Sequence, residues 1–396
     1  MVEYKFATDE QKEFAQLAYD ITKGILTQDR IEELEKANDG RGQYPMDAHR
    51  ALAEAGFSGM NVPEEWGGLG LNFTTQNMIV EEMSKVDAGF AFSYYASGIW
   101  FPMILKTSMP KEEKQMWADR IVAGALGTFA ITEPNAGSDA GSMKSTAVFD
   151  ESTNEWVING TKCFISGLPN ADYITLAAWT DKTKRPGDGI TFFFIEKERG
   201  YKIGKQENKM GLHLSETCEL ILEDVRVPAD HVIGEVGKGF KSCVSFLANE
   251  GRITDAAGAL GTAQAALDFA VDYAKTRRQF GKRIIDHQGL GFLIADMQIR
   301  TDASRALLYS TTEMIDRGMD IGHLGSSVKA FVSDNAVQTC SDAVQVLGGY
   351  GYMKDYPVER FFRDSRIFPI FGGTTQILKK DILKALAGKD PEAKKN

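Results

Sequence analysis
The spacing of apolar residues changes character twice along this chain, near residue 128 and again near 237, and few folds accommodate both changes. Up to about 127, the segments Asp9 to Leu34, Pro45 to Ala55, Thr74 to Val86 and Pro110 to Val122 mix charged and apolar positions as helices do. The loop Pro63-Glu-Glu-Trp-Gly-Gly-Leu-Gly70 interrupts them. From 128 to 236, β-branched and aromatic runs between turn residues predict antiparallel strands, among them Tyr173 to Trp179, Ile190 to Ile195 and Glu219 to Val227. Trp156-Val-Ile158, Asn159-Gly160 and Cys163-Phe-Ile165 read as a hairpin, because Asn-Gly suits a type I′ turn. Beyond 237, Leu260, Ala263, Leu267, Ala270 and Ala274 form one apolar stripe on a long helix. Further helices are expected around Leu290 to Ile315, Gly322 to Leu347 and Thr375 to Leu386. The expectation is an α+β protein with an N-terminal helical domain (1–127), a middle antiparallel β-barrel domain (128–236) and a C-terminal four-helix bundle (237–396).

Charge and cysteine usage narrow the function. Lys and Arg total 45 against 55 for Asp and Glu, a net charge of -10, which argues against nucleic acid or an anionic membrane as partner. Cys163, Cys218, Cys243 and Cys340 are scattered, with no C-x-x-C pair, and the acidic N-terminus lacks the order of a signal peptide. No apolar run is long enough for membrane insertion, so a cytoplasmic protein is expected. The five histidines are dispersed and define no metal site. Signatures of P-loop nucleotide triphosphatases, zinc proteases, α/β-hydrolases and dinucleotide-binding Rossmann units are missing.

The most unusual segment is Phe129-Ala-Ile-Thr-Glu-Pro-Asn-Ala-Gly-Ser-Asp139, which gathers hydroxyls and backbone donors in a turn-rich loop where helices give way to strands. Such a loop suits a phosphate or a heteroaromatic ring, and equally a capped connection. Thr132-Glu-Pro-Asn-Ala-Gly-Ser-Asp139 resembles the T-E-P-x-A-G-S-D signature of the acyl-CoA dehydrogenase family. Asn159-Gly-Thr-Lys-Cys-Phe-Ile-Ser166 resembles its flavin-facing N-G-x-K-x-W-I-[TS] segment, with Phe164 for the usual Trp. Lys209-Met-Gly211 through Glu223-Asp-Val-Arg-Val-Pro228 is similar to a further family strand, with His213 where Arg is common. Arg277-Arg-Gln-Phe-Gly281, Asp286-His-Gln288, Gln345-Val-Leu-Gly-Gly-Tyr-Gly351 and Gly373-Thr-Thr-Gln376 match the family's bundle motifs.

The resemblance implies FAD bound between β-domain and bundle, an acyl-CoA substrate, and an electron-transferring flavoprotein as acceptor. It implies dehydrogenation to an enoyl-CoA by proton abstraction and hydride transfer to flavin N5. Carried over residue by residue, Phe129, Ile131, Thr132, Gly137 and Ser138 contact the flavin, with Phe164, Ile165 and Ser166 lining the ring. Arg277, Gln279, Phe280, His287 and Gln288 belong to the part reaching a neighbouring subunit's FAD in a homotetramer, and Gln345, Gly348 and Gly349 to the matching bundle motif. Thr374, Thr375 and Gln376 lie on the adenine side. Ser138, Arg252, Tyr94, Gly372 and Gly373 are implied on the substrate side, a backbone N–H near Gly372 polarising the thioester oxygen.

The departure concerns the catalytic base. Most members carry Glu in I-Y-E-G-T-[ST], where this chain reads Ile370-Phe-Gly-Gly-Thr-Thr375, and Gly372 removes no proton. The long-chain and isovaleryl types place the base directly before the Arg that maps to Arg252, yet Gly251 precedes it here and Glu250 stands one step back. Counted from Gly239-Phe240, the chain carries one residue more than those relatives before Arg252. Glu250 serves only if the extra residue is absorbed after it; otherwise it turns about 100° around the helix. Asp87, heading Asp87-Ala-Gly-Phe-Ala-Phe-Ser-Tyr-Tyr95 along the acyl pocket, is the second candidate, suited to a 1,4-elimination on a cyclic or unsaturated acyl group. A non-catalytic flavoprotein that lost its base is the remaining alternative. Phe90, Phe92, Tyr94, Tyr95, Trp100 and Phe101 crowd that helix, so a short or cyclic acyl group is expected.

Overall fold
The computed structural model describes residues 6–388. Helices lead: α1 (Asp9–Ile25), α2 (Gln28–Gly40), α3 (Met46–Glu54), α4 (Phe73–Ser84), α5 (Ala88–Gly98), α6 (Phe101–Ile104) and α7 (Lys111–Val122). The middle of the chain supplies strands β1 (Gly127–Ala130), β2 (Thr146–Asp150), β3 (Glu155–Ser166), β4 (Tyr173–Trp179), β5 (Ile190–Glu196), β6 (Lys202–Gln206), β7 (Thr217–Pro228) and β8 (Val232–Ile233), with the short α8 (Pro186–Gly189) before β5. Then follow α9 (Gly239–Phe246), a π turn (Leu247–Gly251), α10 (Arg252–Thr276), α11 (Gln288–Asp316), α12 (Leu324–Leu347), α13 (Val358–Ser365) and α14 (Thr375–Ala387). Among the described residues no helix is long and apolar enough to cross a membrane. By contacts the chain forms two compact units, one of residues 6–15, 72–88 and 246–388, the other of residues 16–71 and 89–245.

In the first unit α4 is buried along its whole length. Its start is tied down by Asn72, whose Oδ1 accepts the Thr75 amide at 2.9 Å, and by Asp316 of α11, which accepts the amides of Phe73 and Thr74 at 2.7 and 3.1 Å. These carboxylate and amide oxygens satisfy donors that a helix start leaves without partners. Helix α10 approaches α4 closely because it is built of Ala and Gly; a methyl group on Gly261 would stand 2.1 Å from the carbonyl oxygen of Glu81. That approach buries the Glu81 carboxylate, which accepts from Arg305 Nη2 at 2.7 Å and Tyr309 Oη at 2.6 Å, while Arg305 also donates to Gln264 at 2.8 Å. Burial, reinforced by Glu81, holds the Tyr309 hydroxyl well above the usual phenol range.

In the second unit the eight strands form one sheet in the order β6-β7-β3-β2-β4-β5-β8, with β1 beside β4. Two of its pairings correct the antiparallel expectation: β1 and β2 both run parallel to β4, β2 because the chain reverses through the antiparallel β3 between them. The expected hairpin at Asn159-Gly160 is a second correction. Glu155 to Ser166 is one strand pairing with β7 throughout, with register shifts at Ile158/Gly160 and Lys162/Ile165. Asn159 spends its side chain across the sheet, donating to Asp224 Oδ1 at 3.0 Å and accepting the Asp224 amide at 2.9 Å. Gly160 is required for a close approach rather than a turn, since a methyl there would meet Ser145 Oγ at 2.1 Å. Strands β4 and β5 are buried almost throughout, and Trp117 of α7 closes on their Tyr173 and Phe194 rings at 5.4 and 4.9 Å.

The Glu81–Arg305 pair yields a prediction. Arg305→Leu leaves a buried carboxylate without its counter-charge and should cost about 3–5 kcal/mol in urea unfolding. The double variant Glu81→Leu/Arg305→Leu should recover most of that loss but not all, because the Tyr309 hydroxyl then lacks its acceptor.

Candidate functional site
The second unit joins the two motifs singled out in its sequence. Strand β1 runs into the Thr132 loop, where Glu133 and Ala136 exchange backbone bonds at 3.0 and 3.1 Å. Glu133 is buried and accepts from Lys162 Nζ at 2.8 Å, from Ser145 Oγ at 2.5 Å and from the Ser145 and Lys144 amides. Lys162 also donates to the Ile131 carbonyl at 3.2 Å, and the next amide, Cys163, donates to the Thr132 carbonyl at 2.9 Å. Burial alone would raise the Glu133 carboxyl, but the bonds from Lys162, Ser145 and Lys144 outweigh it and hold the group below its ordinary value. Burial lowers the Lys162 ammonium despite Glu133. The Glu of the first motif and the Lys of the second thus form one clamp that shapes the loop, leaving Gly137 and Ser138 exposed and Ile131 and Thr132 half-buried.

Beyond the clamp, Phe164 sits at a break in strand register with φ +60° and is 63% exposed. A bulky residue with positive φ is strained, and strain of this kind collects at ligand sites. An exposed ring on a rigid bulge fits the flavin-facing position of the resemblance. Ser166 is half-buried beside it, whereas the Ile165 side chain lies in the sheet core, so Ile165 has only its backbone to offer. Phe129 stacks on Trp100 at 4.6 Å and on Phe192 at 5.8 Å. Tyr94 is a correction to the substrate-side expectation: it is 2% exposed, and its hydroxyl is bonded to Ser58 at 3.0 Å inside a cluster with His49 and Phe90. Glu113, Glu196 and the buried His231 also lie close enough together to hold an ion, and His231 Nε2 pairs with Glu113 at 3.1 Å.

In the first unit a cleft of about 450 Å³ brings together Arg277, Gln279, Gln345, Gly348 and Gly349. Gln279 and Lys282 close a two-residue hairpin whose tip, Phe280 and Gly281, has φ +52° and +82°, the combination of a type I′ turn. Phe280 is 94% exposed there, and His287 Nε2 bonds the Gln279 carbonyl at 3.1 Å. Gln288, at the start of α11, is exposed. Thr374 caps α14, accepting the Ile377 amide at 3.3 Å, and Gln376 is exposed in the first turn. Buried Thr375 turns inward to Asp334 at 3.2 Å. A capped helix start favours anionic groups such as a dinucleotide's phosphates. The exposed bulge ring of the second unit, and the cleft and helix start of the first, are each of a kind that fits part of FAD.

The Gly372–Gly373 loop is held from beneath. Lys329 of α12 donates to the carbonyls of Phe368 at 2.9 Å, Gly373 at 2.8 Å and Phe371. The loop carbonyls are therefore occupied, while the amides of Gly372 and Gly373 have no acceptor among the described residues. Arg252 opens α10 and donates to Ser326 at 2.8 Å and Asp381 at 2.9 Å. A side chain on Gly373 would touch its guanidinium at 3.4 Å.

Neither expected base is set apart by its surroundings. Asp87 is 3% exposed and accepts from Arg360 Nη1 at 2.8 Å, while Arg360 Nη2 holds the Val86 carbonyl at 3.2 Å, so this carboxylate anchors the start of α5. Glu250 is half-buried within the π turn, which brackets the position where the extra residue was inferred. Sequence reasoning missed Asp255 and Lys329. The signal was there: Asp255 is the lone charge between Arg252 and Asp268, and Lys329 the lone charge between His323 and Asp334. Burial raises the Asp255 carboxyl to about 6 against the pull of Lys329 and Arg252, and lowers the Lys329 ammonium to about 8.

Comparison with known proteins identifies the family. Models of the acyl-CoA dehydrogenase N-terminal, middle and C-terminal domains match residues 8–125, 128–225 and 237–387. An acyl-CoA dehydrogenase of Bacillus subtilis (strain 168) is 40% identical over 351 residues, covering 87% of this chain and 91% of that one. Subunit CarC of the caffeyl-CoA reductase-Etf complex of Acetobacterium woodii is 37% identical over 377 residues, 94% of this chain and 97% of that one. The solved butyryl-CoA dehydrogenase of Megasphaera elsdenii matches with a TM-score of 0.90 at 34% identity over 98% of this chain and 100% of that one. The chain therefore belongs to the FAD-dependent acyl-CoA dehydrogenase family and is an oxidoreductase of that kind.

Proposed function
We propose that this enzyme dehydrogenates a short or compact cyclic acyl-CoA to the enoyl-CoA and passes the electrons to an electron-transferring flavoprotein. The observation that carries the flavin half is the Glu133–Lys162 clamp, which presents Phe164 on a strained, exposed bulge. Bound FAD supplies the acceptor for the hydride that leaves the β-carbon. The protein's own part is orientation and charge. The clamp keeps the Thr132–Ser138 loop in one shape, and Lys329 fixes the Gly372–Gly373 loop. The unoccupied Gly372 and Gly373 amides are suited to donate to the thioester oxygen as negative charge grows on it.

The acyl group is inferred from packing. Phe90, Tyr94, Tyr95, Trp100 and Phe101 are all buried, and Phe92 alone of this aromatic series is half-buried. Where this helix walls the acyl pocket, as the family resemblance implies, rings packed behind it in the core leave a wall of limited compliance, which favours a small acyl end. Relatives named for butyryl-CoA and caffeyl-CoA agree with a short chain or a compact ring. The motif at residues 277–288, which the resemblance assigns to the part reaching a neighbouring subunit and whose tip carries the exposed Phe280, supports self-association through the helical unit, as a homotetramer.

Purified protein is expected to be yellow, with one FAD per subunit, and oligomeric by light scattering; a colourless monomer that takes up no FAD would remove the flavin and assembly readings together. Anaerobic flavin bleaching should run faster with butyryl-CoA or cyclohexanecarboxyl-CoA than with palmitoyl-CoA at equal concentration. Fastest bleaching by palmitoyl-CoA would refute the compact-substrate reading.

A further inference from the structure
Gly372 and Asp255 share one volume. A methyl group built on Gly372 would stand 2.0 Å from Asp255 Oδ2, far inside contact distance, so this carboxylate occupies space that any side chain at 372 would need. Gly372 has φ +61°, a conformation that also favours glycine. We infer that Asp255, delivered from α10, is the base that removes the substrate's α-proton in place of the glutamate carried at the 372 position by other members of the family. The inference rests on the dehydrogenation proposed above.

Asp255 is half-buried and Gly372 exposed, so the carboxylate lies next to accessible space rather than sealed in the core. It accepts no hydrogen bond among the described residues, leaving its lone pairs for an incoming proton, unlike Asp87 with its guanidinium clamp. The charged groups around it are Lys329 of α12, Arg252 of its own helix, Asp381 of α14 bound to Arg252, and Asp334 on the far side of Lys329. Glu81 of α4 is taken up by Arg305 and Tyr309. Burial among these groups raises the carboxyl to about 6, which matches its basicity to proton transfer near neutral pH. In the step, the α-carbon–hydrogen bond breaks and the proton goes to Asp255 Oδ2. The electron pair left behind would form the new carbon–carbon double bond, with the β-hydride leaving to the two-electron acceptor that bound FAD would supply. Oδ2 lies at the root of the side chain a glutamate would have at 372. The α-carbon must therefore come close to the glycine backbone, as a short chain or small ring is able to do.

The test uses FAD-loaded enzyme and anaerobic bleaching by butyryl-CoA and cyclohexanecarboxyl-CoA. If wild type is bleached by no acyl-CoA, the proposed dehydrogenation fails before any variant is made. Given bleaching by wild type, Asp255→Asn should keep FAD and CoA-ester affinity and slow bleaching by about a hundredfold or more. A rate within about threefold of wild type, or a hundredfold loss found only in Glu250→Gln, would overturn the inference. In wild type the rate should persist at neutral pH and fall away as pH drops through about 6, as Asp255 becomes protonated; a rate flat from pH 7 to about 5 would count against it. Should Asp255→Asn fail to hold FAD, the exchange Asp255→Gly/Gly372→Glu moves the carboxylate to the family's usual place and should restore bleaching. A folded, flavin-loaded exchange variant without activity would overturn the proposal. The shared volume has a readout that needs no activity: Gly372→Ala should lower Tm by about 4 °C or more beyond its effect in an Asp255→Gly background. Equal losses in both backgrounds would mean that the two residues do not compete for space.

Discussion
Helix α10 lies where it does because Gly261 has no side chain. Any other residue would collide with the Glu81 carbonyl, and the separation from α4 would have to grow. At the observed separation Glu81 is fully buried, which is tolerable only because Arg305, Tyr309 and, through Arg305, Gln264 complete its hydrogen bonds. This packing fixes the axis of α10, and the axis fixes where its first turns deliver Arg252 and Asp255. A contact far from the chemistry thus positions the groups closest to it.

The same economy recurs at one loop in each unit, the Thr132 loop and the Gly372–Gly373 loop. Each is shaped by one buried lysine that ties oxygen atoms of the loop together, a carbonyl and a carboxylate for Lys162 and three carbonyls for Lys329. Lys162 holds Ile131 and Glu133 beneath the Thr132 loop, and Lys329 holds Phe368, Phe371 and Gly373 beneath the glycine pair. An ammonium has three donors and no acceptor, so a buried lysine gathers oxygen atoms and leaves neighbouring amides pointing elsewhere. At Gly372 and Gly373 those amides are the useful product.

Much of this was legible in the sequence because periodicity reports on burial. The stripe from Leu260 to Ala274 lies on α10, and Tyr173–Trp179 is a strand with the bounds its residues imply. The Asn159-Gly160 turn misled because a dipeptide's local preference for positive φ was outweighed by pairing along the whole of β7 and by the Asn159–Asp224 bonds. Family motifs point to a flavin side, yet motif letters do not say that Glu133 and Lys162 touch, nor that Tyr94 is sealed in a ring cluster. Asp255 was overlooked because its partner is the absence of a side chain 117 positions away (372 − 255). No reading of local pattern finds that; only the shared volume does.

The two departures that the family resemblance implies, Gly372 and one residue more before Arg252, bear on each other through helix geometry. A π turn absorbs one residue without disturbing the helix on either side, and here it spans Leu247–Gly251. From Arg252 onward α10 is regular, so Arg252 keeps its bonds to Ser326 and Asp381, and Asp255 keeps its place beside Gly372. Glu250 lies within the irregular turn itself, the segment whose geometry the insertion alters. A base must be held within a fraction of an ångström of its proton, and a regular, buried helix does that better than an inserted turn. The insertion therefore shifts the setting of the carboxylate before Arg252 and leaves the one after it in register, the arrangement in which a glycine at 372 costs the site no base.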